Sequence, residues 1–192
     1  MKLPRILFSC VPVLLLALSA LGSLSGCGEN AITKSVREQR EKYAALDNDS
    51  LQAYLKRNNY TTYTRTEKGV FIVPLTPGTG TSAIANGSQA RIQYVGRVLT
   101  VNQSYYGIAS GSAPGKVFDS SFDNRTACGC ATFTVGSGLV PGFSEGLTYL
   151  RKGSRALLLI PSAQAYGPAG SSGSIYPDSS LLFDVTVLDV SP

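Results

Sequence analysis

The chain has 192 residues with no histidine and no tryptophan, and its formal net charge is +5. Without histidine it cannot build a Ser-His or Cys-His nucleophile pair, and a zinc site would lack one of its usual ligands, so we expect neither a metal nor another cofactor. Loss of Lys2 and Arg5 with the signal described next lowers the charge to +3, which is too small to indicate nucleic-acid binding.

The N-terminal residues have the pattern of a bacterial lipoprotein signal. Lys2 and Arg5 precede an apolar stretch from Ile6 to Leu24, and Leu24-Ser25-Gly26-Cys27 is typical of a lipobox. We therefore expect a signal peptide over residues 1–26 and a lipid on Cys27. Because each buried acyl methylene contributes about 0.8 kcal/mol, two or three acyl chains would hold the protein on a membrane.

This signal also predicts the location of the mature protein. It would be exported and lipid-anchored in the cell envelope, and Gly28, in place of aspartate after the cysteine, favours the outer membrane facing the periplasm. The alternative is a retained transmembrane anchor, because the apolar stretch is nearly long enough to span a bilayer. Both interpretations export the rest of the chain.

Residues 27–68 are predicted to form the lipidated N-terminus and a helical stem. A first helix is indicated by an imperfect apolar stripe consisting of Ile32, Val36, Tyr43 and Leu46. Asp49, followed three residues later by Gln52, predicts a second helix start, and Asn58-Asn59 predicts its end. We interpret the stem as a spacer; the alternative is an arm that joins two copies into a weak homodimer.

A cysteine pair lies within the folded domain, which we place at residues 69–192. Cys128 and Cys130 flank Gly129, and in an exported chain such a pair can close a small disulfide ring. Free thiols are an equal alternative. A thiol switch at these residues is a third and less favoured hypothesis.

The segment from Phe133 to Gly167 predicts a short helix followed by a buried strand. Pro141 suits the first turn of a helix, and Phe143, Leu147 and Leu150 then share one face. The strand runs from Ala156 to Ile160 and is apolar on both faces, which indicates burial on both sides. One face of the helix is therefore expected to pack in the core.

Three further segments complete a pattern that resembles the FKBP-type peptidyl-prolyl cis-trans isomerases. They are Ile92-Gln93-Tyr94-Val95-Gly96, in the place of the family's V-H-Y-T-G, then Val117-Phe118-Asp119-Ser120-Ser121, in the place of F-D-S-S, and Leu182-Phe183-Asp184-Val185, which matches the closing strand. The blocks follow the family's order over about two thirds of the chain. The resemblance implies an α+β fold, an FKBP-like half-barrel of twisted antiparallel sheet wrapped around one short helix, Pro141 to Leu150.

The same resemblance implies an activity that needs no nucleophile. The family isomerises X–Pro bonds, so proline-containing polypeptides are the expected partners and the folding of exported proteins the expected role. The barrier to this rotation is about 18–20 kcal/mol because it destroys amide resonance. An apolar pocket that removes water from the amide can favour the twisted form.

Nine residues match pocket positions of the family. The resemblance assigns the catalytic role to Tyr94, Asp119 and Tyr166, with the Tyr166 hydroxyl donating to the substrate carbonyl. It assigns substrate binding to Phe118, Leu139, Val140, Phe143, Ile175 and Phe183. Burial in the core is the alternative for most of the apolar residues, since such a half-barrel needs aromatic side chains between sheet and helix.

The sequence also departs from the family. Phe143 stands where most members have tryptophan, and Ala131 where they have a second phenylalanine before Phe133, so we expect a wider pocket. The 21 residues from Arg97 to Val117 form an insertion that could extend substrate contact or cover the groove. A non-catalytic chaperone or adaptor that binds polypeptides in the same groove is the alternative function.

Overall fold

The computed structural model describes residues 30–99, 115–124, 126–171 and 175–192. The predicted signal, Cys27 and most of the insertion between Arg97 and Val117 lie outside these ranges. Contacts divide the chain into two units, Met1–Val36 and Arg37–Pro192. Among the helices of the described residues, none combines the length and the apolar character needed to cross a membrane.

Helix α1 (Ala31–Arg57) begins at a polar cap. Asn30 Oδ1 accepts a hydrogen bond of 2.7 Å from the backbone N–H of Thr33, which satisfies a donor that has no partner within the helix. The helix ends as predicted, immediately before Asn58-Asn59, and Asn59 adopts a φ of 56° that stops further helical turns.

The predicted second helix start at Asp49 is wrong, because α1 continues through it without a break. Gln52 does not cap a new helix there; its Nε2 donates to Asn48 Oδ1 one turn earlier, at 3.1 Å. Such a pair, four residues apart, supports a continuous helix. The sequence pattern of a capping box therefore lies in the middle of α1, in a helix held by tertiary packing.

The strands of the described chain form one antiparallel sheet. In chain order they are β1 (Thr64–Arg65), β2 (Phe71–Thr76), β3 (Gln89–Leu99), β4 (Val117–Ser120), β5 (Ala131–Thr134), β6 (Arg155–Ile160) and β7 (Ser180–Ser191). Their order in the sheet is β1-β2-β6-β7-β3-β4, and β5 also pairs with β3. Helix α2 (Pro141–Thr148) lies between β5 and β6 in sequence. The predicted α+β architecture is confirmed.

Helix α2 packs on β6 within the larger core cluster. Phe143, Leu147 and Leu150, predicted to share one face, are all buried there with Leu158 of β6. A glycine permits the close approach, because a Cβ at Gly146 would lie 2.7 Å from Leu158 Cδ1. The helix ends at Thr148, two residues before the predicted Leu150.

The opposite face of β6 belongs to a second core cluster that includes α1. Leu157 and Leu159 are buried together with Leu51 and Leu55, from the C-terminal half of that helix. Successive residues of a strand point to opposite faces, so β6 contributes to both clusters. This explains why the strand is apolar on both sides, as the sequence indicated.

Candidate active site

Five aromatic rings from five different elements meet on one face of the sheet. Tyr94 of β3 lies 5.7 Å from Phe133, 6.0 Å from Phe143 and 6.1 Å from Phe183, measured between ring centroids. Phe143 and Phe183 are closer still, at 4.4 Å. Phe118 of β4 completes the group, edge-on to Phe183 at 5.5 Å. We call these five residues the aromatic cluster.

A missing side chain in β3 lets two of these rings approach the backbone. A Cβ at Gly96 would lie 2.8 Å from Phe118 Cζ and 2.9 Å from Phe183 Cε1, distances that real Cβ atoms do not reach. Gly96 pairs with Phe183 across the sheet and with Asp119 on its other side. The glycine at the end of the Ile92–Gly96 motif therefore sets the spacing of two rings.

Tyr94 links the aromatic cluster to a carboxylate at the surface. Its ring is buried, with 5 % of the residue exposed, while its hydroxyl donates to Asp119 Oδ2 at 2.8 Å. Burial, followed by this hydrogen bond, raises the pKa of Tyr94, so the phenol stays neutral at physiological pH. Asp119 itself is exposed. The pair joins an apolar interior to a polar rim.

Ser121 holds the backbone of Tyr94, a role that the sequence analysis did not assign. Its Oγ accepts a hydrogen bond of 2.9 Å from Tyr94 N and donates to Gly129 O at 2.8 Å. The serine is fully buried. The only available signal was its place as the last residue of the Val117–Ser121 motif.

The carbonyl that Ser121 contacts lies inside a disulfide ring. Cys128 and Cys130 are bonded to each other, with their Cα atoms 5.2 Å apart. Gln93 Nε2 donates to the Cys128 carbonyl at 2.8 Å, and Gln93 directly precedes Tyr94 in β3. The ring is therefore hydrogen-bonded to Gln93 and to Ser121, the residue that binds the Tyr94 backbone.

Tyr166 and Ile175 come from the segment between β6 and β7. Tyr166 precedes a short 3₁₀ turn, Gly167–Ala169, and 39 % of its surface is exposed, as a hydroxyl that contacts a ligand would require. It lies near enough to Tyr94 to add to the raised pKa of that residue, after burial and Asp119. Ile175 is buried in the larger core cluster.

Leu139 and Val140 lead into α2 and pack at the edge of the same cluster. Both are partly buried. The Val140 carbonyl accepts the first bonds of the helix, from Phe143 N at 3.0 Å and Ser144 N at 3.1 Å. Seven of the nine sequence-predicted pocket residues thus lie in, or pack against, the larger core cluster. Asp119 joins it through Tyr94, and Tyr166 is near enough to Tyr94 to affect its pKa.

A serine in α2 lies in a Gly-x-Ser-x-Gly sequence, Gly142 to Gly146, which in other folds presents a nucleophile. Here Ser144 is buried, and its Oγ accepts a hydrogen bond of 2.6 Å from Gly136 N. No histidine exists to activate it. The hydroxyl holds the turn before Leu139 and has the environment of a structural group.

Comparison with known proteins gives one consistent family. The model of the FKBP-type peptidyl-prolyl cis-trans isomerases matches residues 80–188. "Peptidyl-prolyl cis-trans isomerase Fkbp12" of Drosophila melanogaster is 35 % identical over 123 residues, which cover 64 % of this chain and 98 % of that protein. The "FKBP-type 22 kDa peptidyl-prolyl cis-trans isomerase" of Escherichia coli (strain K12) is 30 % identical over 169 residues, or 84 % of this chain and 73 % of that one.

Solved structures agree with these matches. The crystal structure of FkpA from Escherichia coli superposes with a TM-score of 0.60 at 27 % sequence identity, covering 84 % of this chain and 68 % of that chain. The isomerase of Pseudomonas syringae pv. tomato superposes with a TM-score of 0.58 at 25 % identity, covering 78 % of this chain and 96 % of that one.

Proposed function

The chain belongs to the FKBP-type peptidyl-prolyl cis-trans isomerases, and from this premise we propose that it isomerises X–Pro bonds of exported polypeptides in the pocket formed by its aromatic cluster. The observation that carries the proposal is the joining of buried rings to a polar rim through the Tyr94–Asp119 hydrogen bond of 2.8 Å. Sites that orient a ligand combine apolar walls with a few placed polar groups in this way.

The chemistry follows from what the amide loses on rotation. A planar amide carries charge separation that water stabilises, whereas the twisted amide has little. Rings at Phe118, Phe143 and Phe183 would surround the proline and remove that water, so the planar form loses more solvation than the twisted one. Neither Tyr94 nor Asp119 needs to transfer a proton.

Tyr166 is the proposed hydrogen-bond donor to the substrate. Its hydroxyl would bind the carbonyl of the residue before proline while the C–N bond turns, and it would hold that carbonyl in place as the prolyl ring rotates. Asp119 would keep Tyr94 oriented at the rim. Leu139, Val140 and Ile175 would complete the apolar wall.

A protease-coupled assay with short X-Pro-Phe peptides tests this proposal directly. We expect clear acceleration over the spontaneous rate, and a loss of about tenfold or more in kcat/KM for Phe118→Ala, against no change for Phe122→Ala, an exposed phenylalanine outside the aromatic cluster. A folded parent without acceleration would favour the chaperone or adaptor function in the same groove.

We further propose that the mature protein is a lipoprotein of the cell envelope, with signal 1–26, lipidated stem 27–68 and isomerase domain 69–192. The supporting observation is the Leu24–Cys27 lipobox after an apolar stretch. Incorporation of labelled palmitate into the parent and into Cys27→Ser, with Cys10→Ser as the matched control, tests it. A membrane-associated parent that takes up no label would favour a transmembrane anchor and contradict lipidation.

A further inference from the structure

A buried carboxylate on α1 holds both ends of the segment that carries Tyr166. Asp47 has 2 % of its surface exposed. Its Oδ2 accepts two hydrogen bonds from Ser162, one from the backbone N–H at 2.7 Å and one from Oγ at 2.6 Å. Its Oδ1 accepts one from Ser180 Oγ at 2.5 Å.

These two serines bracket the connection between β6 and β7. Ser162 follows Ile160, the last residue of β6, by two positions, and Ser180 is the first residue of β7. Tyr166 lies four residues after Ser162, and Ile175 five residues before Ser180. One carboxylate therefore fixes the beginning and the end of a connection whose described residues include two of the proposed pocket residues.

A second contact from α1 supports the same connection. The Gln39 side chain lies close enough to the Asp178 carboxylate to lower its pKa, against burial and the charge of Asp47, which raise it. Asp178 N in turn donates to Gly167 O at 2.8 Å, directly beside Tyr166. Contacts from α1 thus reach Asp178, which is hydrogen-bonded to the residue after the tyrosine.

Attachment of α1 to the sheet does not by itself explain why residue 47 is an aspartate. Burying a charged group is unfavourable unless its hydrogen-bonding capacity is met, and an apolar side chain would attach the helix without that penalty. Leu51 and Leu55 of α1 already do so in the second core cluster. What a carboxylate adds is two acceptor oxygens with fixed directions, each satisfied here by a different end of the connection.

We propose that Asp47 is a positioning residue for isomerisation, which holds Tyr166 and Ile175 at the pocket by fixing Ser162 and Ser180. The proposal rests on the pocket assignment made above and extends it to a residue outside the segment 80–188 that matches the family. It also gives α1 a part in the active site, in addition to its part in the core.

The test compares Asp47→Ala with Asp49→Ala, an exposed carboxylate on the same helix, in the purified protein. At a temperature well below the melting transition of each variant, we expect Asp47→Ala to lower kcat/KM for an X-Pro-Phe peptide about tenfold and Asp49→Ala to leave it unchanged. Asp47→Asn should restore most of the activity, since its amide oxygen can accept from Ser162 while its NH₂ donates to Ser180 Oγ.

A double-mutant cycle separates positioning from general stability. In the Tyr166→Phe background, Asp47→Ala should reduce kcat/KM by about threefold or less, because the hydroxyl that it positions is already gone. Equal factors in both backgrounds, or full activity of a folded Asp47→Ala, would overturn the proposal. If Asp47→Ala does not fold, Ser180→Ala, which releases only one end, replaces it in the same cycle.

Amide hydrogen exchange decides the inference independently of activity. Asp47→Ala should speed exchange at Ala165, Gly170 and Asp178, whose N–H groups are hydrogen-bonded within the connection, and leave Phe143 in α2 unchanged. Unchanged exchange at all four would overturn the inference. An inactive parent would contradict the proposed function instead, and the exchange pattern would still decide the role of Asp47.

Discussion

The hydroxyl of Tyr94 donates to Asp119 Oδ2 across 2.8 Å and connects strand β3 to the edge strand β4. Tyr94 is buried in β3, whereas Asp119 is exposed in β4, and the two strands pair at Val95–Ser120 and Gly96–Asp119. Because that register is fixed, the carboxylate is held at the hydroxyl end of the Tyr94 side chain. The hydrogen bond is therefore part of the structure before any substrate arrives.

Tyr94 and Asp119 should contribute to activity through the hydrogen bond between them, so removing either side chain should lower activity. We expect Tyr94→Phe and Asp119→Ala each to lower kcat/KM about three- to tenfold, and the double variant to lose little more than the worse single one, since the contact is already broken. The protease-coupled assay measures this, with Tyr149→Phe, an exposed tyrosine, as the control that should change nothing. Multiplicative losses would mean that the two residues act separately.

The alkaline titration of the protein should reveal which tyrosines are buried. Burial raises the pKa of Tyr94, reinforced by the bond to Asp119, and burial also raises the pKa of Tyr54. Because the folded state keeps these protons above pH 10, the usual pKa of the unfolded phenol, the stability of the fold declines as pH rises beyond it.

Absorbance at 295 nm as a function of pH measures this ionisation. We expect the phenolates of Tyr54 and Tyr94 to form only together with unfolding as seen by circular dichroism. Tyr94→Phe should remove one of these late phenolates. Full ionisation in a protein that is still folded would contradict the burial of both phenols.

Short local motifs mark four of the five rings of the aromatic cluster, Tyr94, Phe118, Phe143 and Phe183, as pocket positions, and their role in substrate binding stays a prediction. Tyr94 and Gly96 belong to one block and Phe118 and Asp119 to another, and each strand's alternation already indicates which side chains point inward. The outline of the fold, with β6 buried on both faces, was readable for the same reason. Local pattern is sufficient where neighbours in sequence share one face of one element.

The role of α1 was not readable, and Asp47 shows why. Its partners Ser162 and Ser180 are 115 and 133 residues away in sequence, and nothing in a polar helix marks one aspartate as buried among exposed ones. Ser121 was missed on a smaller scale, because its partner Gly129 lies in another loop. Contacts between distant segments depend on the assembled fold, which single-residue patterns do not encode.

Gly96→Ala should distort the pocket. Its new Cβ would meet Phe118 and Phe183 at less than 3.0 Å, and two rings packed in a core cannot move aside freely. We expect a stability loss of about 1–3 kcal/mol and a larger loss of kcat/KM than Gly80→Ala produces, although a Cβ at Gly80 also meets a tight contact, at 3.1 Å from Lys152 N. Urea unfolding and the isomerase assay measure the two effects. Equal activity in both variants would show that the ring spacing is unimportant.

Asp178→Asn should stabilise the protein at neutral pH. Burial, followed by the charge of Asp47, raises the pKa of Asp178 above 3.8. The ionised carboxylate therefore destabilises the fold at pH values above this raised pKa. Asparagine keeps an acceptor for Gln39 and tolerates the φ of 53° found there.

The expected gain is a few tenths of a kcal/mol, or ~1 °C in Tm, because the side chain is only partly buried. It should disappear at about pH 3 and below, where the carboxyl group is protonated in both states. Thermal unfolding at several pH values measures this, with Asp49→Asn as the exposed control. A lower Tm at pH 7 would mean that the interaction of the charged carboxylate with Gln39 stabilises the fold by more than burial of the charge destabilises it.

Reduction of the disulfide should affect stability more than catalysis. Cys128 and Cys130 close a ring of three residues, and a loop this short restricts the unfolded chain by only about 1–2 kcal/mol, or ~3–6 °C in Tm. Ser121 would keep its bond with Tyr94 N, which does not pass through the disulfide ring. At temperatures well below the melting transition, kcat/KM should therefore stay within about twofold.

Thermal unfolding and the isomerase assay, each with and without reductant, measure the changes in Tm and in kcat/KM. The double variant Cys128→Ser with Cys130→Ser controls for effects of the reductant. A loss of activity on reduction, reversed by oxidation, would instead identify the pair as a thiol switch acting on the aromatic cluster through Ser121.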